Sequence, residues 1–179
     1  MKYKEWVEEY SGKLQISFIF VQKAYLIKTY KFPIQNHPFK CGLCIKNINS
    51  KVFSGGKIKN FRLFSIINPN LKLTLDKEFE ITKLEPNEIT KIWFNQPIIT
   101  FIEGSVWIDC DIIPKQDKYI IKTFQTDKIG QTFSCPKPNN WGSTEFIQGE
   151  YEFEQARTNY LLIILTIITL LEGVLSLLK

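Results

Sequence analysis

The sequence predicts a mainly β chain, an antiparallel β-sandwich followed by a single C-terminal transmembrane α-helix. Three observations carry this. Apolar residues alternate with period two in several separate stretches. Turn signals recur every eight to twelve residues with no helical pattern between them. From Leu161 to Leu178 the chain is apolar except for Glu172 and a few small polar residues.

The bulk properties fit a single domain with an appendage. The chain has 179 residues, 44% hydrophobic and 14% aromatic, so it can build a core and is not disordered. Its net charge is +5, unevenly spread. Residues 1–144 hold 21 Lys and Arg against 13 Asp and Glu, a net +8, whereas residues 145–179 hold 2 against 5, a net −3. Only Arg62 and Arg157 are arginines. Bidentate recognition of bases and phosphates favours arginine, and the lysines are scattered singly. They read as a solvated surface, and no nucleic-acid partner is expected.

In order along the chain, "KYKEWVEEYSGK" places Tyr3, Trp6, Val7 and Tyr10 on one face of a short helix over residues 1–12, with Gly12 as its C-terminal cap. "LQISFIFVQ" then puts Leu14, Ile16, Phe18 and Phe20 on one side of a strand. The stretch runs on to about Tyr30, too long for one strand, so a bulge or sheet switch is expected near Lys23–Ala24. Pro33 and Pro38 bracket a loop. "FKCGLCIKNINS" points Phe39, Cys41, Leu43 and Ile45 one way and Lys40, Gly42, Cys44 and Lys46 the other. The turn "SGG" at 54–56 precedes the strand "KIKNFRLFSII", which "NPN" at 68–70 ends. "LKLTL" and "FEI" follow. "LEPNE" at 84–88 is a turn in which Asn87 takes a positive φ. "ITKIWF", "GSVWIDCDII" and "KYIIKTFQT" are further strands, the middle one with Val106, Ile108, Cys110 and Ile112 inward. The sandwich therefore spans 13–130. Residues 131–154 read as a linker, in which "EYEFE" is either a last short strand, favoured by its alternation, or the start of the final helix over 155–179.

Two segments resemble Ig-like domains of the bacterial and archaeal CARDB type. "LEPNE" is similar to their L-x-P-G-E turn, and "EGSVWIDCDI" to their G-x-Y-x-V-x-V-x-V strand. "IKNINSKVFSGGKIKNF" is similar to their N-x-G turn and the strand after it. Asn87 stands where they have glycine, and Ser50–Lys51 depart likewise. The resemblance spans roughly 39–125 and implies an Ig-like sandwich serving as a binding or spacer module, with no catalytic residue. It also implies that Cys41 and Cys110 face each other across the core, as buried thiols, or as a disulfide in an exported domain.

Candidate chemistry is sparse. Cys41 and Cys44 form a CxxC, but strand parity sends them to opposite faces, and Cys110 and Cys135 stand 25 apart, so neither a bond nor a zinc site is expected. His37, the one histidine, sits in a loop and reads as a surface residue. "SGGK" at 54–57 lacks the spacing of a phosphate loop. Glu103, Asp109 and Asp111 form the one carboxylate cluster; Asp109 and Asp111 share the outer face and are expected to pair with lysines of neighbouring strands. No catalytic, cofactor or metal site is expected, and the chain reads as a non-enzyme.

The C-terminal segment is the sharpest signal. Eighteen residues rise about 27 Å, close to the hydrocarbon thickness of a bilayer. Tyr160 and Lys179 flank it as interface residues. Thr166, Thr169, Gly173 and Ser176 form a stripe of small residues with Glu172 beside it, a pattern for helix self-association. The acidic N-terminus, "MKYKEWVEEYSGKLQ", does not resemble a secretory signal, so a tail anchor with a cytoplasmic sandwich is expected. The reading is a membrane-anchored homo-oligomer whose sandwich binds a protein partner, scaffolds or assembles. Two alternatives stand beside it: a ligand- or partner-sensing effector whose clustered helices permeabilise the bilayer, and a soluble subunit with the last helix buried against a partner.

Overall fold

The structure is a computed structural model and describes residues 11–22, 31–75, 77–126 and 131–177. The expected helix over residues 1–12 and the expected bulge at Lys23–Ala24 lie outside the described residues, apart from Ser11 and Gly12. That glycine opens a strand rather than capping a helix.

Among the described residues ten strands form two sheets. The first runs β6 (Ile89–Trp93), β2 (Phe39–Asn47), β1 (Gly12–Gln22), β8 (Ile121–Thr126), β9 (Thr132–Ser134). The second runs β10 (Asn140–Ile147), β7 (Gly104–Pro114), β3 (Gly56–Ser65), β4 (Lys72–Leu75), with β5 (Phe79–Ile81) also on β3. One ladder departs from the antiparallel expectation: β1 and β8 are parallel, from Gly12↔Ile121 to Ile16↔Gln125. The chain leaves β7 in the other sheet and enters β8 beside the start of β1, so the two strands run the same way. Gly12 lets the Tyr119 ring close over this junction: a Cβ there would lie 2.8 Å from the ring, which would have to shift.

The core lies between the sheets, as the alternation predicts. Cys41, Leu43, Ile45, Val106, Ile108 and Cys110 are all buried. Phe18 and Phe20 are only half-buried. The β1–β8 ladder ends at Ile16, so these two rings lie past the end of β8. They stack on each other at 6.4 Å, and Phe20 meets Phe39 edge-on at 6.5 Å. In β3 a bulge between Lys59 and Arg62, with Asn60 at φ 51°, resets the parity, so that Ile58, Phe61 and Leu63 all point inward.

The "LEPNE" turn takes its expected form, with Asn87 at φ 64°. It is held from β2 by Asn47, 1% exposed. The Asn47 side-chain amide donates to Leu84 O at 3.0 Å and Lys51 O at 2.9 Å, and its carbonyl accepts from Asn49 N–H.

Residues 131–149 are not a linker. They contain β9 and the eight-residue β10, which pairs with β7 from Asn140↔Asp111 to Ile147↔Gly104. Trp141 of β10 is the largest wholly buried side chain, and its indole N–H donates to Ile16 O of the opposite sheet at 3.0 Å. "EYEFE" is helical, not a strand: α1 runs Glu150–Leu177. Gly149 separates it from β10, and Glu150 and Glu152 complement the positive end of the helix dipole.

Candidate functional site: the C-terminal helix

α1 has 28 residues and is long and apolar enough to cross a membrane; its apolar window has a mean hydropathy of 2.3 and no part of it is buried against the sandwich. A rise of 1.5 Å per residue makes the helix about 42 Å long, the thickness of a bilayer with its headgroups.

The helix meets the sandwich at its first turn. Asn36 Nδ2 donates to Glu150 Oε2 at 2.8 Å, and Gln35 Oε1 accepts from Glu150 N–H at 3.4 Å. His37 Nε2 stands 3.6 Å from Glu150 Oε1, and its ring meets Phe153 at 5.7 Å. His37 is therefore half-buried at the joint of helix and sandwich, not a free surface residue. Nothing in its sequence neighbourhood gave that away, because the contact comes from a segment 113 residues later.

The expected self-association residues occupy one face. At about 100° per residue, Thr166, Thr169, Gly173 and Ser176 fall within an arc of about 80°, centred opposite Phe153, with Glu172 at its edge. The stripe thus points away from the sandwich. Its hydroxyls donate within the helix: Thr166 Oγ1 to Leu162 O at 2.8 Å, Thr169 Oγ1 to Leu165 O at 2.9 Å, Ser176 Oγ to Gly173 O at 2.7 Å. They keep lone pairs for a donor such as a protonated Glu172 on another helix. A Cβ at Gly173 would meet nothing within 4 Å, so the surface there is open. Tyr160 lies eleven residues into the helix, 46% exposed; Lys179 lies outside the described residues.

The other candidates resolve into structure. Asp109 and Asp111 are answered mainly by Arg62, not by lysines. Arg62 Nε donates to Asp109 Oδ1 at 2.5 Å, which holds the guanidinium pKa above its ordinary value. Asp111 accepts from Asn60 at 2.7 Å and Asn140 at 3.0 Å. Glu103 does not join them; its carboxylate lies where a Gly149 Cβ would stand. Among the described residues no group of His, Cys, Asp and Glu is arranged to hold a metal. All four cysteines are free thiols. Cys41 is buried and Cys44 half-exposed on the opposite face, as parity requires. Burial pushes the Cys41 and Cys110 thiols well up. Cys135 is also buried, and its Sγ lies 3.7 Å from Gly142 O.

No protein-family model matches the chain, and no curated protein matches it.

Proposed function

We propose that this is a non-enzymatic, membrane-anchored β-sandwich module that binds or scaffolds a protein partner and oligomerises through α1. One observation carries the reading: a 28-residue helix, apolar from Leu161 onward apart from Glu172 and a few small polar residues, with none of its residues buried by its own chain. Burying that surface requires lipid or other helices. The stripe of small residues opposite Phe153 favours close helix contact, and its orientation leaves the sandwich clear of the neighbouring copy. The Ig-like assignment rests on the "LEPNE" and "EGSVWIDCDI" motifs together with the two-sheet architecture. The sandwich faces the cytoplasm in this reading.

Cross-linking in membranes tests it, comparing the full chain with a chain ending at Gln155. The full chain is expected in the membrane fraction as defined oligomers, and the shorter chain as a soluble monomer. Oligomers of equal size from both would remove α1 from the assembly. Glu172 in mid-span favours a second reading, a wetted helix cluster, and release of trapped dye from liposomes distinguishes it from a plain anchor.

A further inference from the structure

The fold sorts the lysines in a way the linear order hides. The five strands of the first sheet contain no Asp or Glu and five lysines: Lys13 on β1, Lys40 and Lys46 on β2, Lys91 on β6 and Lys122 on β8. The ladder registers put all five on one face. Val21 pairs with Lys40, Gln15 with Lys46, Lys13 with Lys122, and Cys44 with Lys91, every one opposite in parity to the core residues. All are exposed or half-exposed. On the second sheet the strand cations meet carboxylates, Lys57 and Lys59 at Glu78 and Arg62 at Asp109, whereas on the first Lys40 lies over the Trp93 ring at 5.7 Å and Lys122 over the Phe124 ring at 5.6 Å. Between the lysines lie Val21, 57% exposed, and the half-exposed Trp93 and Phe124.

We propose that this face docks on the anionic surface of the same bilayer that α1 enters, an inference that rests on the membrane reading above. Lysines without arginine make a diffuse positive field suited to a charged surface rather than to a single bidentate ligand. Each contact is weak, but the anchor holds the face beside the bilayer permanently, so weak contacts suffice. Aromatic side chains among the lysines suit the headgroup layer.

The helix also has the right height. Residues 150–160, where Glu150, Glu152, Glu154 and Arg157 stand among Tyr151, Phe153 and Tyr160, rise about 16 Å above the apolar span. A headgroup layer is about 5–7 Å deep. Half the thickness of a sandwich with sheets about 10 Å apart, side chains included, adds about 10 Å. That rise leaves room above the headgroups for a sandwich lying on its side.

The test uses the full chain in vesicles of neutral phosphatidylcholine and in vesicles with added phosphatidylserine, probed with an uncharged lysine-acylating reagent and read site by site by mass spectrometry. The chain floats with both kinds of vesicle, and Lys13, Lys40, Lys46, Lys91 and Lys122 react several-fold more slowly only with phosphatidylserine present. High salt restores their reactivity. Lys57, Lys83 and Lys115 on the other side are unchanged. In a Lys40→Glu, Lys46→Glu, Lys91→Glu variant, whose changes are all outside the core, the protection of Lys13 and Lys122 is lost. Flotation without differential protection overturns the docking and leaves the anchor standing. Equal protection in both kinds of vesicle also overturns it and indicates a second copy or another partner on the face. A chain that does not float at all overturns both.

Discussion

Trp141 Nε1 donates to the backbone carbonyl of Ile16 across the core, 3.0 Å away, and so ties β10 of one sheet to β1 of the other. Both residues are fully buried. Trp141→Phe keeps most of the apolar volume but leaves Ile16 O without this donor, and is expected to cost about 1–3 kcal/mol. Trp141→Ala adds a cavity and is expected to cost about 3–5 kcal/mol. Urea unfolding of both variants checks the order. Equal stability of Trp141→Phe and wild type would mean the hydrogen bond contributes nothing.

Ile108 is inward on β7 and 1% exposed. Ile108→Ala should cost on the order of 2–5 kcal/mol as a core truncation, read from the shift in the denaturation midpoint. A loss below about 0.5 kcal/mol would place Ile108 among surface substitutions, contradicting its burial.

Asn47 links the end of β2 to the "LEPNE" turn through three side-chain hydrogen bonds. Asn47→Ala removes all three bonds at once; Leu84 O keeps the Phe53 N–H at 2.9 Å, but Lys51 O and the Asn49 N–H lose their side-chain partner, and the change should cost about 1–3 kcal/mol. Hydrogen exchange should also accelerate at Asn87 and Asn49 more than in β7. Uniform acceleration would indicate global destabilisation only.

The thiols give a pH dependence. Cys41 and Cys110 have raised pKa values because burial disfavours the thiolate. In the unfolded chain they ionise near the ordinary thiol pKa, so above that range the unfolded state binds fewer protons than the folded one. Stability should be insensitive to these groups at neutral pH and fall as pH rises past about 8.5, by up to about 1.4 kcal/mol per pH unit for each thiol. Native alkylation should modify Cys44 first, with Cys41 and Cys110 protected until unfolding. Early modification of Cys41 would contradict its burial.

Much of the sandwich was legible because period-two alternation is strong where a strand has one wet face. In β2 and β7 the inward residues are apolar except Asn47 at the end of β2, and parity alone separated Cys41 from Cys44. β10 shows no apolar alternation because its inward parity carries Trp141, Ser143, Glu145 and Ile147, with Gly142 between, and Pro136, Pro138 and Asn139 just before it signal a turn. Gly142 is there for contact: a Cβ would lie 2.5 Å from the Trp107 ring. The stripe on α1 followed from helical spacing. The lysine face did not, because its members come from four strands that only the sheet order brings together.

In α1, Gly173→Leu adds bulk at the proposed helix contact and should abolish cross-linked oligomers, whereas Glu172→Leu should leave insertion intact or improve it, since a lone carboxylate in lipid costs roughly 2–3 kcal/mol. Unchanged oligomers from both variants would place the contact elsewhere on the helix.

The central claim is that α1 spans a bilayer, and alkaline carbonate extraction of membranes carrying the full chain tests it most directly. The chain should stay in the membrane pellet and leave it only with detergent. A full chain recovered as a monomer in the carbonate supernatant, soluble without detergent, would contradict the membrane span.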